Sequence, residues 1–168
     1  MRWEKQVRWT IAQHPRYLYG GNILSTGIDC SKFPQLTLTE AGAKDLQRLT
    51  ADDIYHGKDG WKGRDVNEWE ALSLDLAFFR WRHPKNIALE LPKQLQLSKK
   101  VELNPKLSGK KSEPTKRIDH MGIILEGKSG LLELAHMSST KGGVIVPFTG
   151  VFAKDCVGLR RLTIVDNE

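Results

Sequence analysis

Cysteine is scarce in this 168-residue chain, which holds only Cys30 and Cys156. Two thiols are too few for a disulfide framework and are not spaced like a zinc knuckle. A single bridge between them is compatible with the sequence, although Cys156, in FAKDCVGLRRLTIV, precedes a β-rich ending and reads as a core or surface thiol. Long apolar runs are also missing: none approaches the roughly 20 residues that a membrane-spanning helix needs. The N-terminus MRWEKQVRWTIAQHP breaks every apolar stretch with charge, so it offers no signal-peptide core. The chain therefore reads as soluble and without an export signal of its own. Low complexity is absent as well. With 27% charged and 8% aromatic residues, the composition excludes a fibrous repeat and gives no argument for disorder.

What is present suits one globular domain over residues 1–168, since 39% of the residues are hydrophobic and the length supports a single core. The net charge of +6 is not spread evenly. Residues 80–117 carry 11 Lys plus Arg against 3 Glu, a balance of +8, which leaves 15 basic and 17 acidic residues, or −2, elsewhere. The same segment holds Pro84, Pro92, Pro105 and Pro114, and it reads as a basic insertion or long loop with a small hairpin at LQLSKKVEL.

Residues 1–14 are expected to form a helix on the apolar positions Trp3, Val7, Trp9, Ile11 and Ala12. After the turn in PRYLYGG, a helix capped by Asp29 should run to TEAG and stop at Gly42. Pro34 cannot donate to the Cys30 carbonyl, so the first turn of that helix should be irregular or begin late. DLQRLTADDIYHG suggests another short helix, with Thr50 as its cap, and LSLDLAFFRW a strand. HMGIILEG, GLLELAHMSS, GGVIVPF and LRRLTIVD then have the rhythm of an antiparallel meander. Helices followed by strands give an α+β class.

Cys30 stands between Asp29 and Ser31, directly behind a glycine-rich turn and at the expected start of a helix. A nucleophilic thiol needs a base and a third polar group that fixes the base's tautomer. At a helix N-terminus beside a protonated histidine, a thiol pKa falls from about 8.5 to roughly 3.5–7.5. His120 opens the strand HMGIIL and His136 closes the next, so pairing of the two strands through GKSG brings both imidazoles to one sheet edge. Taken singly, each of these residues is more often a plain thiol or a strand-end histidine. A zinc site built from Cys30, His120 and His136 uses the same parts, although no fourth ligand stands out.

The segment PRYLYGGNILSTGIDCSKF resembles the nucleophile segment of the NlpC/P60 cell-wall cysteine peptidases. LDLAFF, HMGIIL and LAHMSSTKGGVIV resemble that family's following strands, in the same order, over residues 15–80 and 118–147. The resemblance implies a papain-like fold in which the helix bearing Cys30 packs with other N-terminal helices on a small antiparallel sheet. It implies Cys30 as nucleophile, His120 as base and His136 as the residue orienting it. It further implies Tyr17, Asp29 and Ser31 as substrate-contacting neighbours, with no metal and no cofactor. Lys32 and Pro34 depart from the family pattern, as does the long basic segment, which suits either a lid beside the groove or a solvated insertion.

The function so implied is hydrolysis of an amide in peptidoglycan stem peptides, such as the bond between D-glutamate and a diamino acid, through a cysteine acyl-enzyme. Three lifestyles fit: an injected antibacterial effector with an immunity protein as partner, a phage lytic enzyme, or a housekeeping hydrolase. Action on the wall requires export or injection; otherwise the protein is cytoplasmic. Two alternatives remain: an acyl or peptidyl transferase on the same fold, and a basic nucleic-acid-binding module. The second is disfavoured because Trp81 is the sole aromatic of the basic segment.

Overall fold

The computed structural model describes residues 2–81 and 117–163. Most of the basic segment, with the hairpin expected at LQLSKKVEL, lies outside the described residues.

Six strands form one antiparallel sheet: β3 (Gly63–Val66), β4 (Leu76–Phe79), β5 (His120–Glu126), β6 (Leu132–Ser138), β7 (Gly142–Pro147) and β8 (Cys156–Leu162). A small hairpin of β1 (Asn22–Ile23) and β2 (Gly27–Ile28) precedes them. Helices α1 (Arg2–Ala12), α2 (Lys32–Glu40) and α3 (Ala51–Tyr55) come from the first half of the chain, and α4 (Val151–Asp155) leads into β8. The α+β expectation holds.

The meander holds only for β5, β6 and β7. The order across the sheet is β3-β8-β4-β5-β6-β7, so the last strand does not extend the meander but returns to the far side, between β3 and β4. Burial explains this. β4 is buried at every position and needs partners on both edges, and β8 supplies the edge that β5 leaves open. The rhythm of LRRLTIVD reports a strand but not its neighbour.

Alternation along the strands divides the interior in two. On one face, Trp3, Val7, Phe33 and Leu38 from the helices pack with Phe78, Met121, Ile123, Leu125 and Met137. On the other, Ala77, Phe79, Ile124, Leu134 and Leu159 form a smaller cluster with Phe152 of α4 against it.

The helix over 1–14 forms as expected, with Trp3, Val7, Thr10 and Ile11 buried. The one expected over DLQRLTADDIYHG forms only from Ala51, where the Thr50 hydroxyl accepts from the Asp53 N–H at 3.2 Å. Its first half is drawn off by side chains: the Leu46 carbonyl accepts from Gln35 at 3.1 Å and the Gln47 carbonyl from the Trp61 indole at 2.9 Å. Those carbonyls find their partners in side chains from other segments and not in a following helical turn. The short strand β3 had no counterpart in the sequence reading.

Candidate active site

The turn that carries Cys30 is built by Asp29. Its Oδ1 accepts from the N–H groups of Ser31 (3.1 Å) and Lys32 (2.8 Å) and from the Ser31 hydroxyl (3.1 Å). These contacts do the work of a cap for α2, although Ser31 occupies the cap position itself. Pro34 falls in the first turn, where a missing N–H costs little, and the helix begins late as its presence predicts. At the far end, Gly42 adopts φ +114° and stops the helix.

Cys30 is thereby held one residue ahead of the cap, buried, with its Sγ 3.9 Å from the Asp119 carbonyl. The Met121 N–H also points to the sulfur, so the thiol lies on the backbone to either side of His120. Cys30 and Cys156 are both free thiols, and the bridge considered from sequence is not formed.

The two histidines meet as the hairpin pairing requires. Gly122 of β5 pairs with His136 of β6, and His120 Nε2 lies 3.0 Å from His136 Nδ1. Both are buried and sit under aromatic rings. Trp81 stacks on His120 with ring centroids 4.0 Å apart and planes 14° from parallel, and its edge meets His136 at 5.7 Å. Phe79 and Phe152 close the remaining sides, at 5.8 Å from His120 and 5.4 Å from His136.

Burial decides the charge states. It lowers His136 from its ordinary value of 6.5 to about 4, against a backbone hydrogen bond at Met137 that works the other way. Burial, and then the Asp29 carboxylate, push the Cys30 thiol up to about 11, while the Met121 N–H, its own N–H and Arg48 oppose them. The expectation of a depressed thiol pKa is therefore not met at rest: the sulfur is more enclosed than its polar sequence neighbours suggest, and the charge that acts on it most strongly is negative. Tyr17 is raised to about 12, by burial first and then by Cys30 and Asp29, so its phenol stays a neutral donor beside the thiol.

A cleft of about 540 Å³ opens over Cys30, with Tyr17, Asp29, Ser31, Arg48 and Arg117 on its walls. All three expected substrate neighbours thus line it. The carboxylate of Asp29 is already fully engaged, since its Oδ2 accepts from the Gly20 N–H at 3.1 Å and from Arg48. Among the described residues, no three His, Cys, Asp or Glu side chains are grouped to hold a metal ion. One nitrogen of each imidazole, His120 Nε2 and His136 Nδ1, is turned on the other.

Arg48 and Trp81 were missed as site residues. Arg48 stands in DLQRLT, 19 residues from Asp29, and nothing local marks it as its partner. Trp81 had one signal: an aromatic directly after LAFFR continues a buried strand toward the histidines.

Solved structures share this architecture. An NLP/P60-family protein from Staphylococcus aureus, described as similar to a lipoprotein, superposes with a TM-score of 0.59 at 19% identity, over 95% of this chain and 41% of its own. The NlpC/P60 domain of the peptidoglycan hydrolase SagA gives 0.53 at 15% identity, over 95% of this chain and 98% of its own. The fold is that of the NlpC/P60 proteins. An NlpC/P60 family protein from Bacillus cereus agrees, at a TM-score of 0.56 and 16% identity over 95% of this chain and 40% of its own. The chain thus spans about two fifths of the length of the Staphylococcus and Bacillus proteins. No protein-family profile matches the sequence, and no curated protein does. Helix and strand termini thus place Cys30 against the backbone on either side of His120, and the His120 ring against His136, at one end of the sheet.

Proposed function

We propose that the protein is a cysteine amidohydrolase acting on the peptide stems of peptidoglycan. The observation that carries this reading is the His120–His136 contact of 3.0 Å at one end of the β5–β6 hairpin, with the Cys30 thiol held against the backbone flanking His120. One of the proteins sharing the NlpC/P60 fold, SagA, is a peptidoglycan hydrolase, which supports the choice of substrate.

The thiol is protonated at rest, so the base must take its proton as the sulfur attacks. His120 Nε2 faces His136, which leaves Nδ1 to exchange that proton. Sγ adds to the amide carbonyl, and collapse of the tetrahedral adduct expels the amine, which takes the proton from His120. Water, deprotonated by His120, then releases the acid and restores the thiol. His136 stays neutral at physiological pH and accepts from the imidazolium Nε2–H through Nδ1, fixing the tautomer as an orienting group does in a triad. The Cys30 N–H, just ahead of the cap of α2, is the donor proposed for the developing oxyanion. Work on the wall places the enzyme in the periplasm or outside the cell, reached by export or by injection.

The test is mass spectrometry of disaccharide-tetrapeptide and cross-linked muropeptides after incubation with wild type, Cys30→Ser, His120→Ala and His136→Ala. Wild type should release a stem fragment whose mass names the bond. Cys30→Ser and His120→Ala should lose at least about 1,000-fold in rate while remaining folded, and His136→Ala should keep a slow residue. Intact muropeptides with wild type, or full activity in Cys30→Ser, would sink the reading.

A further inference from the structure

The cap of α2 sets a conflict at the thiol. Asp29 must be a carboxylate to hold the N–H groups of Ser31 and Lys32, yet a negative charge beside Cys30 opposes formation of a thiolate. Arg48 stands where that conflict is relieved. Its Nη2 donates to Asp29 Oδ2 and its Nη1 to Ser31 Oγ, while Nη1 also reaches the Leu49 carbonyl at 2.9 Å and Nε reaches Asn22 Oδ1 at 3.0 Å. One planar fork therefore ties three parts of the cleft together: the β1–β2 hairpin, the nucleophile turn, and the segment leading into α3.

We propose that Arg48 is a positioning residue for the Cys30 reaction: its guanidinium occupies the Asp29 carboxylate, offsets that charge beside the thiol, and clamps the nucleophile turn to the cleft wall. The proposal rests on the reading of Cys30 as nucleophile. The charged and titratable groups around the thiol and its cleft are Tyr17, Tyr19, Asp29 and Lys32 on its own segment, Arg48 and Asp53 from the stretch leading into α3 and its first turn, and Arg117, Asp119 and His120 from the approach to β5. Asp29 is the one that disfavours the thiolate most strongly after burial, and Arg48 is the cation paired with it. Lys32 makes no such ion pair among the described residues, its ammonium being held by Gln35 Oε1 at 2.6 Å.

The experiment follows alkylation of Cys30 by iodoacetamide against pH in the full chain, read by peptide mass spectrometry so that Cys156 serves as an internal control. No substrate is needed, so failure to cut muropeptides and failure of this proposal are separate results. Arg48→Ala should move the titration midpoint of Cys30 upward and slow labelling at neutral pH roughly tenfold, a shift of about one pKa unit. Asp29→Asn should move it downward. In the double variant, loss of Arg48 should have little further effect, because the charge it offsets is gone. Arg48→Gln, which keeps donors without the cation, should shift the midpoint as Arg48→Ala does, and Arg48→Lys should restore part of the difference. A purely structural role for Arg48 would lower the melting temperature without moving the midpoint. An unmoved midpoint in Arg48→Gln or in Asp29→Asn, or an equal shift on removing Arg48 with and without Asp29, would overturn the proposal.

Discussion

His136 sits between Trp81 and Phe152 with its imidazole enclosed, and that enclosure links the proposed orienting residue to the stability of the whole protein. The unfolded chain protonates this histidine below about pH 6.5, whereas the folded chain resists until about pH 4. Because the folded value is depressed, the contribution is fully present above pH 6.5 and is lost as the pH falls toward 4. The full swing is about 3 kcal/mol. Urea midpoints measured from pH 7.5 to 4 should fall steeply for wild type and less steeply for His136→Gln. Equal slopes would show that other groups carry the acid sensitivity. Trp81 acts on the same pair: its face against His120 would favour the imidazolium that the proposed mechanism forms. Trp81→Leu should therefore lower the rate constant for acylation more than substrate affinity, with the acid limb of the pH–rate profile moved toward lower pH.

At the scale of elements, the β5–β6 hairpin is what registers the two imidazoles, and Gly122 is its tightest point. A Cβ there would lie 2.7 Å from the Ala135 carbonyl oxygen and 3.0 Å from the Cβ of His136. Gly122→Val should therefore displace His136 and cost about 1–3 kcal/mol in denaturant unfolding, with loss of activity beyond the loss of folded protein. Retained turnover in that variant would mean that the hairpin register is not what sets the site. The motif HMGIIL shows how far a local pattern goes. Its alternation marks a strand whose Met121 and Ile123 face the helices, and the pairing through GKSG places the ends of two strands together. Helix α2 was legible in the same way, because Asp29 and Pro34 constrain neighbours only a few residues away. The run DLQRLT was not, since the groups that draw its carbonyls away, Gln35 and Trp61, come from elsewhere in the chain.

Across the whole molecule, the strand that closes the sheet is tied down by charge. Arg161 of β8 forms a forked pair with Asp75, just before β4, at 2.8 and 2.9 Å, and Asp75 is 1% exposed. Removing one partner of such a pair leaves an uncompensated buried charge. Arg161→Ala should therefore lower stability by about 3–5 kcal/mol, while Arg161→Ala with Asp75→Ala should recover part of it. A single variant within about 0.5 kcal/mol of wild type in urea unfolding would show that the pair is solvated in solution.

The sequence by itself determined what depends on near neighbours: the helix-and-strand class, the cap and late start of α2, the hairpin of β5 and β6, and through the motif order the candidate set of Cys30, His120 and His136. Only the tertiary structure decided the insertion of β8 between β3 and β4, the pairing of Arg48 with Asp29, and the protonated thiol. The division has one physical cause. Periodicity, capping and turn chemistry act over a few residues and are written in consecutive letters. Burial and charge pairing depend on which distant segments share a space, and that is settled only when the sheet and helices close on one another.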